Sequence, residues 1–290
     1  MKSLNRSPYP IAPLVRLALL VLMLLAPLGA LAQFDHSHAA WSALLKKHVV
    51  LVADGKASQV KYADFARDRP ALKAYLDTLS KVTDAEFKGW SKPQQMAFLI
   101  NAYNAFTIEK ILTRYPDLKS IRDFGNVIGN PWKDKFFTLL GKETALDQIE
   151  HEMLRAKGVY AEPRVHFAVN CASIGCPMLR EEAFVAERLD AQLEEQTRRF
   201  LSDHSRNRYN EKSGQLEVSK IFDWFKEDWQ SGYRGISAGA QPIGSREQFF
   251  ATYAKQLADR PEAQRTITDQ KAPIAFIDYD WALNVAGRGH

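Results

Sequence analysis

Apolar residues recur at helical spacing over most of the chain and alternate only in short stretches. Trp41, Leu44 and Leu45 share one helical face, and the apolar run Val49 to Val52 follows, closed by a turn at Asp54-Gly55. Val60-Lys61-Tyr62 alternates as a short strand, after which DRPALKAYLDTLSKV returns to the helical period. Thr83 with Glu86 and Ser91 with Gln94 fit the capping box, in which paired side chains satisfy the orphan amides of a helix start. The spacing predicts a long helix from about Lys92 to Tyr115, ended by Pro116.

Gly125, Gly129 and Asn130-Pro131 make residues 120–135 a loop by composition. Phe136 to Leu140, turned by Gly141-Lys142, reads as a hairpin, and Thr144 with Asp147 caps a predicted helix through about Lys157. Arg164 to Asn170 reads as a buried strand, and Glu182 to Asp203 as a second long helix with a charged outer face. A hairpin around Ser213-Gly214 (Arg208 to Val218) leads to the aromatic helix opened by Ser219, SKIFDWFKEDW, whose large side chains are most simply core, with a carbohydrate or peptide stacking platform as the alternative. A glycine-rich loop spans Ser231 to Gly244, Ser245 with Gln248 caps a further helix, and Ile274 to Asp280 closes the chain as a half-buried edge strand. With neither repeats nor a clean linker, the pattern predicts an α+β fold: one helix-rich domain with a small mixed or antiparallel sheet.

The N-terminus changes this picture. Residues 1–32 combine Lys2, Arg6 and Arg16 with an apolar run from Leu17 to Ala26, then Pro27, Gly29 and Ala30-Leu31-Ala32, the layout of a cleaved secretory signal. The apolar run is short of the ~20 residues a membrane span needs. The expectation is an exported protein, periplasmic or extracellular, with residues 33–290 as its single domain and no stable membrane span after cleavage. Cleavage lowers the basic residues from 39 to 36 against 34 acidic ones, so the mature chain is near neutral. No clustered basic face points to nucleic acid.

Candidate chemistry gathers in VHFAVNCASIGCP, residues 165–177, which holds both cysteines and His166. Two cysteines in an exported chain normally pair, and a Cys171–Cys176 disulfide would pin the loop more than stabilise the fold, removing only roughly 2 kcal/mol of unfolded-state entropy. Alternatively Cys171 is a nucleophile, which needs a base to generate thiolate at neutral pH. Strand alternation points His166 away from Cys171, whereas His151, with Asp147 one helical turn before it, is the better base. Pro177 suits the first turn of a helix, whose dipole would then favour the Cys176 thiolate. A zinc site would need a second ligand pair, which the sequence lacks, and no phosphate loop, serine elbow or zinc-protease motif is present, so neither metal nor cofactor is expected.

Asn101 and Asn104 fall amid the apolar face of the predicted long helix, opposite Glu109, Lys110, Thr113 and Arg114. A buried amide is costly unless matched, so each must hold a strand end, a loop backbone or a ligand, with bracing the plainer role.

The segments FLINAYNAFTIEKIL, PWKDKFF, LDQIEH, VHFAVNCASIGCP and YDWALN, in this order, resemble the domain-of-unknown-function 547 family from about Phe34 to Asn284. The resemblance implies an exported bacterial member of a family that also occurs in plants and animals, and it brings no activity with it. Its pattern falls on Asn101, Tyr103, Asn104, His151, His166, Cys171 and Pro177. It also implies that the second cysteine position is often serine in plant members, which weakens a disulfide as the shared purpose.

Two functional expectations follow. One is a thiol-dependent acyl-transfer or hydrolytic enzyme acting on a peptide or envelope component, in which Cys171 attacks, His151 accepts the proton, Asp147 orients it, and an amide of Asn101 or Asn104, beside Tyr103, stabilises the oxyanion. The other is a non-catalytic envelope binding or scaffold module with a Cys171–Cys176 disulfide.

Overall fold

The computed structural model describes residues 33–125, 130–230, 233–236 and 242–287. Residues 1–32, where a secretory signal is expected, lie outside the described residues. Asp35 to His290 forms one compact unit, and three small sheets decorate its helices, so the α+β expectation holds.

The helix Lys92–Leu112 is the axis of the fold. Its start carries the full Ser91/Gln94 capping box, with a proline in the first turn. Every residue from Gln95 to Leu112 is buried, so Glu109 and Lys110 of the face predicted to be polar are covered, whereas Thr113 and Arg114, past the helix end, are exposed. Glu109 is paired there with Arg69, from the helix Arg69–Lys81, which forks onto it at 3.1 and 2.7 Å. Lys110 pairs with Asp134 at 3.0 Å. Phe98, Leu99 and Ile100 are fully buried, each worth roughly 1.5–3 kcal/mol of burial.

The N-terminal helix Ala39–His48 buries Trp41, Leu44 and Leu45, as their spacing requires. An antiparallel hairpin follows, Val49–Val52 with Ala57–Val60. Tyr62 opens a short helix rather than extending a strand. The hairpin Phe137–Leu139 with Lys142–Thr144 turns through Leu140 and Gly141, both at positive φ. A second core, built around Phe222, Trp229, Phe249 and Phe250, lies against a mixed three-stranded sheet. In that sheet Gln215–Ser219 pairs antiparallel with Arg208–Asn210 and parallel with the edge strand Ile274–Ile277.

Three further predicted elements differ, each for a reason. Arg164 to Asn170 is not a strand: Pro163–Phe167 is a 3-10 turn whose start is satisfied by the Glu162 carboxylate at the Arg164 amide, 3.1 Å. The second long helix begins only at Leu189, because the backbone of Phe184 gives both its polar groups to Asn101 and cannot enter a helix. Thr144 and Asp147 form no capping box, and the segment Gln148–Leu154 winds as a π-helix, closed by the Arg155 amide on the Glu150 carbonyl five residues back, 3.0 Å. Among the described residues no helix is long and apolar enough to cross a membrane.

Candidate functional site

Asn104 of the central helix braces the cysteine loop. Its Nδ2 donates to the Ala168 carbonyl (2.9 Å) and its Oδ1 accepts from the Asn170 amide (2.8 Å). Asn170 repeats the device one step on: its Oδ1 accepts from Ala172 N–H (2.9 Å) and its Nδ2 donates to the Pro177 carbonyl (2.7 Å). Ala172 sits at φ 63°, left-handed backbone that a non-glycine residue holds only when its surroundings enforce it. The loop lies flush on the C-terminal segment, since Ile174 and Gly175 donate to the carbonyls of Ala282 and Asp280, each at 2.8 Å. A Cβ on Gly175 would stand 2.9 Å from the Asp280 nitrogen and 3.0 Å from a Tyr279 ring carbon, which is why glycine is needed at this contact.

The clamped loop surrounds the Cys171 sulfur with hydrogen-bonding groups: Cys176 Sγ at 2.9 Å, Ser173 Oγ at 3.1 Å and the Tyr279 hydroxyl at 3.3 Å. Contact with Cys176 does most to lower the Cys171 pKa, burial opposes it, and Ser173 and Tyr279 add to the lowering. Burial, then the neighbouring Cys171, push the Cys176 thiol well up. The two cysteines are free thiols, Cys171 half-buried and Cys176 buried. No helix follows Pro177, so the expected helix dipole at Cys176 is absent.

Cys171 faces a cleft of about 190 Å³, with the buried Cys176 lining it at the base of the loop. The π-helix lines the same cleft with Glu150 and His151, and Asp147 precedes it. Burial raises the Glu150 pKa toward the neutral form, outweighing the neighbouring His151, and the Tyr103 hydroxyl hydrogen-bonds this carboxyl. Arg155 Nη1 lies 2.5 Å from His151 Nδ1. A guanidinium can only donate, so Nδ1 accepts and the ring proton of a neutral His151 sits on Nε2. Asp147 Oδ1 is 3.7 Å from that Nε2, beyond hydrogen-bond range, so Arg155 orients this imidazole and Asp147 does not.

His166 also lines the cleft, because a 3-10 turn does not alternate its side chains as a strand would. Its Nε2 contacts Asp228 Oδ2 at 2.7 Å, and its ring stacks on Phe225 with centroids 4.1 Å apart. Burial opposes ionisation of Asp228, yet hydrogen bonds from His166 and from Arg155 (2.6 Å) hold its carboxyl below the usual range. An ionised carboxylate only accepts, so His166 donates from Nε2 and keeps the lone pair on Nδ1. Burial lowers the His166 pKa despite Asp228, favouring the neutral ring. Residues 151, 155, 228 and 166 thus form one polar chain beside the cleft.

An aromatic wall completes the site. Trp224 stacks on Trp281 with centroids 5.7 Å apart, Trp132 meets Trp281 edge-on at 5.7 Å, and Tyr279 packs against both Trp281 and Trp224. Trp224 remains 45% exposed.

The cleft brings together Cys171, Cys176, His151, His166, Asp147 and Tyr103 among the residues expected from sequence. Asn101 and Asn104 stand apart: neither lines the cleft, and their amides brace the backbone of Phe184 and of Ala168 and Asn170 instead of facing an oxyanion. Glu150, Arg155, Asp228, Tyr279 and the three tryptophans escaped sequence reading. Only the packed aromatics of SKIFDWFKEDW and FIDYDWALN hinted at them. Among the described residues no group of three or more His, Cys, Asp or Glu is arranged to hold a metal ion.

Residues 87–201 match the model of a family described as Protein of unknown function, DUF547. No curated protein and no solved structure matches the chain. The matched stretch carries Tyr103, His151, His166 and both cysteines, whereas Asp228, Tyr279, Trp224 and Trp281 lie beyond it.

Proposed function

We propose that this chain, whose residues 87–201 belong to the DUF547 family, is a thiol-dependent acyl-transfer or hydrolytic enzyme acting on a peptide or envelope component, exported by its N-terminal segment. One observation carries the reading: Cys176, Ser173 and Tyr279 converge on the Cys171 sulfur inside a cleft that also holds two histidines of opposite hydrogen-bonding character. The Ser173 and Tyr279 hydroxyls can each donate to this sulfur, which favours thiolate without a histidine bonded to it.

In this reading Cys171 attacks the acyl carbon and forms a thioester. His166, fixed by Asp228, takes the Cys171 proton on Nδ1 and passes it to the leaving group, then takes a proton from the water that cleaves the thioester and returns it to the Cys171 sulfur. His151 presents Nε2–H to the oxygen on which negative charge develops, beside the buried Glu150 carboxyl, whose pKa burial raises. His166 thus replaces His151 as base, because Arg155 already occupies the Nδ1 lone pair of His151. The apolar aromatic wall suits an acyl group or side chain with a flat apolar face.

The test is acylation of the reduced protein by p-nitrophenyl acetate, read by stopped-flow absorbance and intact mass. A stoichiometric burst with acetyl on Cys171, lost in Cys171→Ala and followed by slow turnover, is expected. Labelling of Cys171 no faster than a free thiol, or a burst that survives Cys171→Ala, removes the reading. The competing scaffold module predicts no burst at all.

A further inference from the structure

A nucleophile for acyl transfer needs hydrogen-bond donors, and Ser173 and Tyr279 already supply hydroxyls to Cys171. A second thiol in contact adds a different capacity, because sulfur can form a bond where a hydroxyl can only donate. The two sulfurs lie 2.9 Å apart, so an approach of under about 1 Å closes a bond of ~2.05 Å.

Their surroundings are unequal. Cys171 is half-buried at the cleft, whereas Cys176 is 5% exposed, and its sulfur accepts from the Cys171 amide at 2.9 Å. The loop holds this contact from both ends. The Cys176 amide donates to the Ser173 carbonyl (3.1 Å), and buried Arg206 donates to the carbonyls of Cys176 and of Ile174 (3.3 Å) while it is itself held by Asp203. Attack from outside can therefore reach Cys171, while Cys176 is placed to reach only its neighbour. This division into an attacking and a resolving thiol is what thiol–disulfide exchange requires.

We infer that Cys171 and Cys176 carry out thiol–disulfide exchange with a disulfide presented at the aromatic cleft. The Cys171 thiolate attacks one sulfur of the incoming disulfide, breaking its S–S bond, and the other sulfur leaves as thiolate, which takes up a proton. Cys176 then attacks Cys171 Sγ, its own proton passing to the departing sulfur, and the mixed disulfide breaks. The substrate gains two electrons and two protons and leaves as two thiols. The protein loses the same and holds a Cys171–Cys176 disulfide. A low-molecular-weight thiol reverses the sequence. Trp132, Trp224, Tyr279 and Trp281 suit the incoming sulfurs, since thioether and disulfide sulfur pack well on aromatic rings. The inference shares only the Cys171 thiolate with the hydrolytic reading.

The experiment mixes the reduced full chain with oxidised glutathione in the absence of air, quenches with acid, and reads intact mass and released thiol. Wild type is expected to become two mass units lighter and to release two glutathiones per chain. Cys176→Ser is expected to stop at one glutathione on Cys171, and Cys171→Ser to react at least 100-fold more slowly. A glutathione adduct that persists on wild type, first reaction at Cys176, or no reaction overturns the inference. The wild-type result decides even where a variant folds poorly. Acetylation of Cys171 in the same preparation separates the two readings: exchange without acetylation sinks the hydrolase alone, and acetylation with a persistent adduct sinks the exchange alone.

Discussion

Two buried histidines, one in the N-terminal helical region and one at the cleft, show how the same burial serves different ends. His38 is 1% exposed and its Nδ1 lies 2.7 Å from the Tyr75 hydroxyl, beside Trp41 stacked on Tyr75. His166 is 3% exposed, but its partner is the ionised Asp228 and its ring borders a cavity with a thiol. Burial lowers both pKa values, that of His38 to about 4. A phenol leaves an imidazole neutral and inert, whereas a carboxylate fixes its tautomer and stabilises the imidazolium it becomes during proton transfer. The partner, more than the burial, separates packing from chemistry.

The sharpest way to break this comparison is to exchange the consequences. His166→Gln should lower turnover of p-nitrophenyl acetate by about 10²–10⁴-fold, the usual worth of a positioned base, while His38→Gln should leave it within a factor of two, by steady-state assay. Equal losses would mean that both histidines are structural.

The pH dependence of stability tests the opposite member. The unfolded His38 binds its proton near pH 6.5 and the folded one only near 4, so its contribution is complete above 6.5 and disappears as pH falls through that window. About 3 kcal/mol should be lost between pH 6.5 and 4, read by urea unfolding at several pH values, with a shallower decline in His38→Gln. His166 acts in the same direction.

A smaller effect sharpens the cleft side. Tyr279→Phe and Ser173→Ala each remove a hydroxyl from the Cys171 sulfur, and a hydrogen bond to a charged group is worth about 1.5–3 kcal/mol. The pH profile of Cys171 alkylation should shift upward by about one to two units in each. Gly175→Ala should produce the smallest change, a fraction of the Tyr279→Phe shift with about 1–3 kcal/mol of lost stability, because its methyl presses on Asp280 and Tyr279 without removing the hydroxyl.

What the sequence made legible was local. The central helix could be read because its period and both halves of its cap lie within the segment itself. The hairpin at Gly141 and the aromatic helix after Ser219 follow the same logic. The turn that carries His166 reads as a strand because VHFAV is apolar and rich in β-branched residues, whereas the backbone there is set by Glu162 beside it and by Asn104, 62 positions before His166 in the chain. The amides were read correctly as braces, since a buried amide on a helix must find a partner. Asp228 and Tyr279 were invisible because nothing local marks them, and each reaches its partner across the fold. The His151 tautomer likewise depends on Arg155, whose other end is fixed by Asp228.

The π-helix Gln148–Leu154 holds one residue more per hydrogen-bonded ring than an ordinary helix. Deleting a single residue there would let the segment relax to the common winding and would turn the side chains on one side of the deletion by about 100° relative to the other. Glu150 and His151 would leave the cleft, while the central helix, the braced loop and both cores kept their contacts. A reactive centre of this kind can be gained or lost by a three-nucleotide event in the coding sequence, so two chains of the same fold could differ in chemistry through one codon.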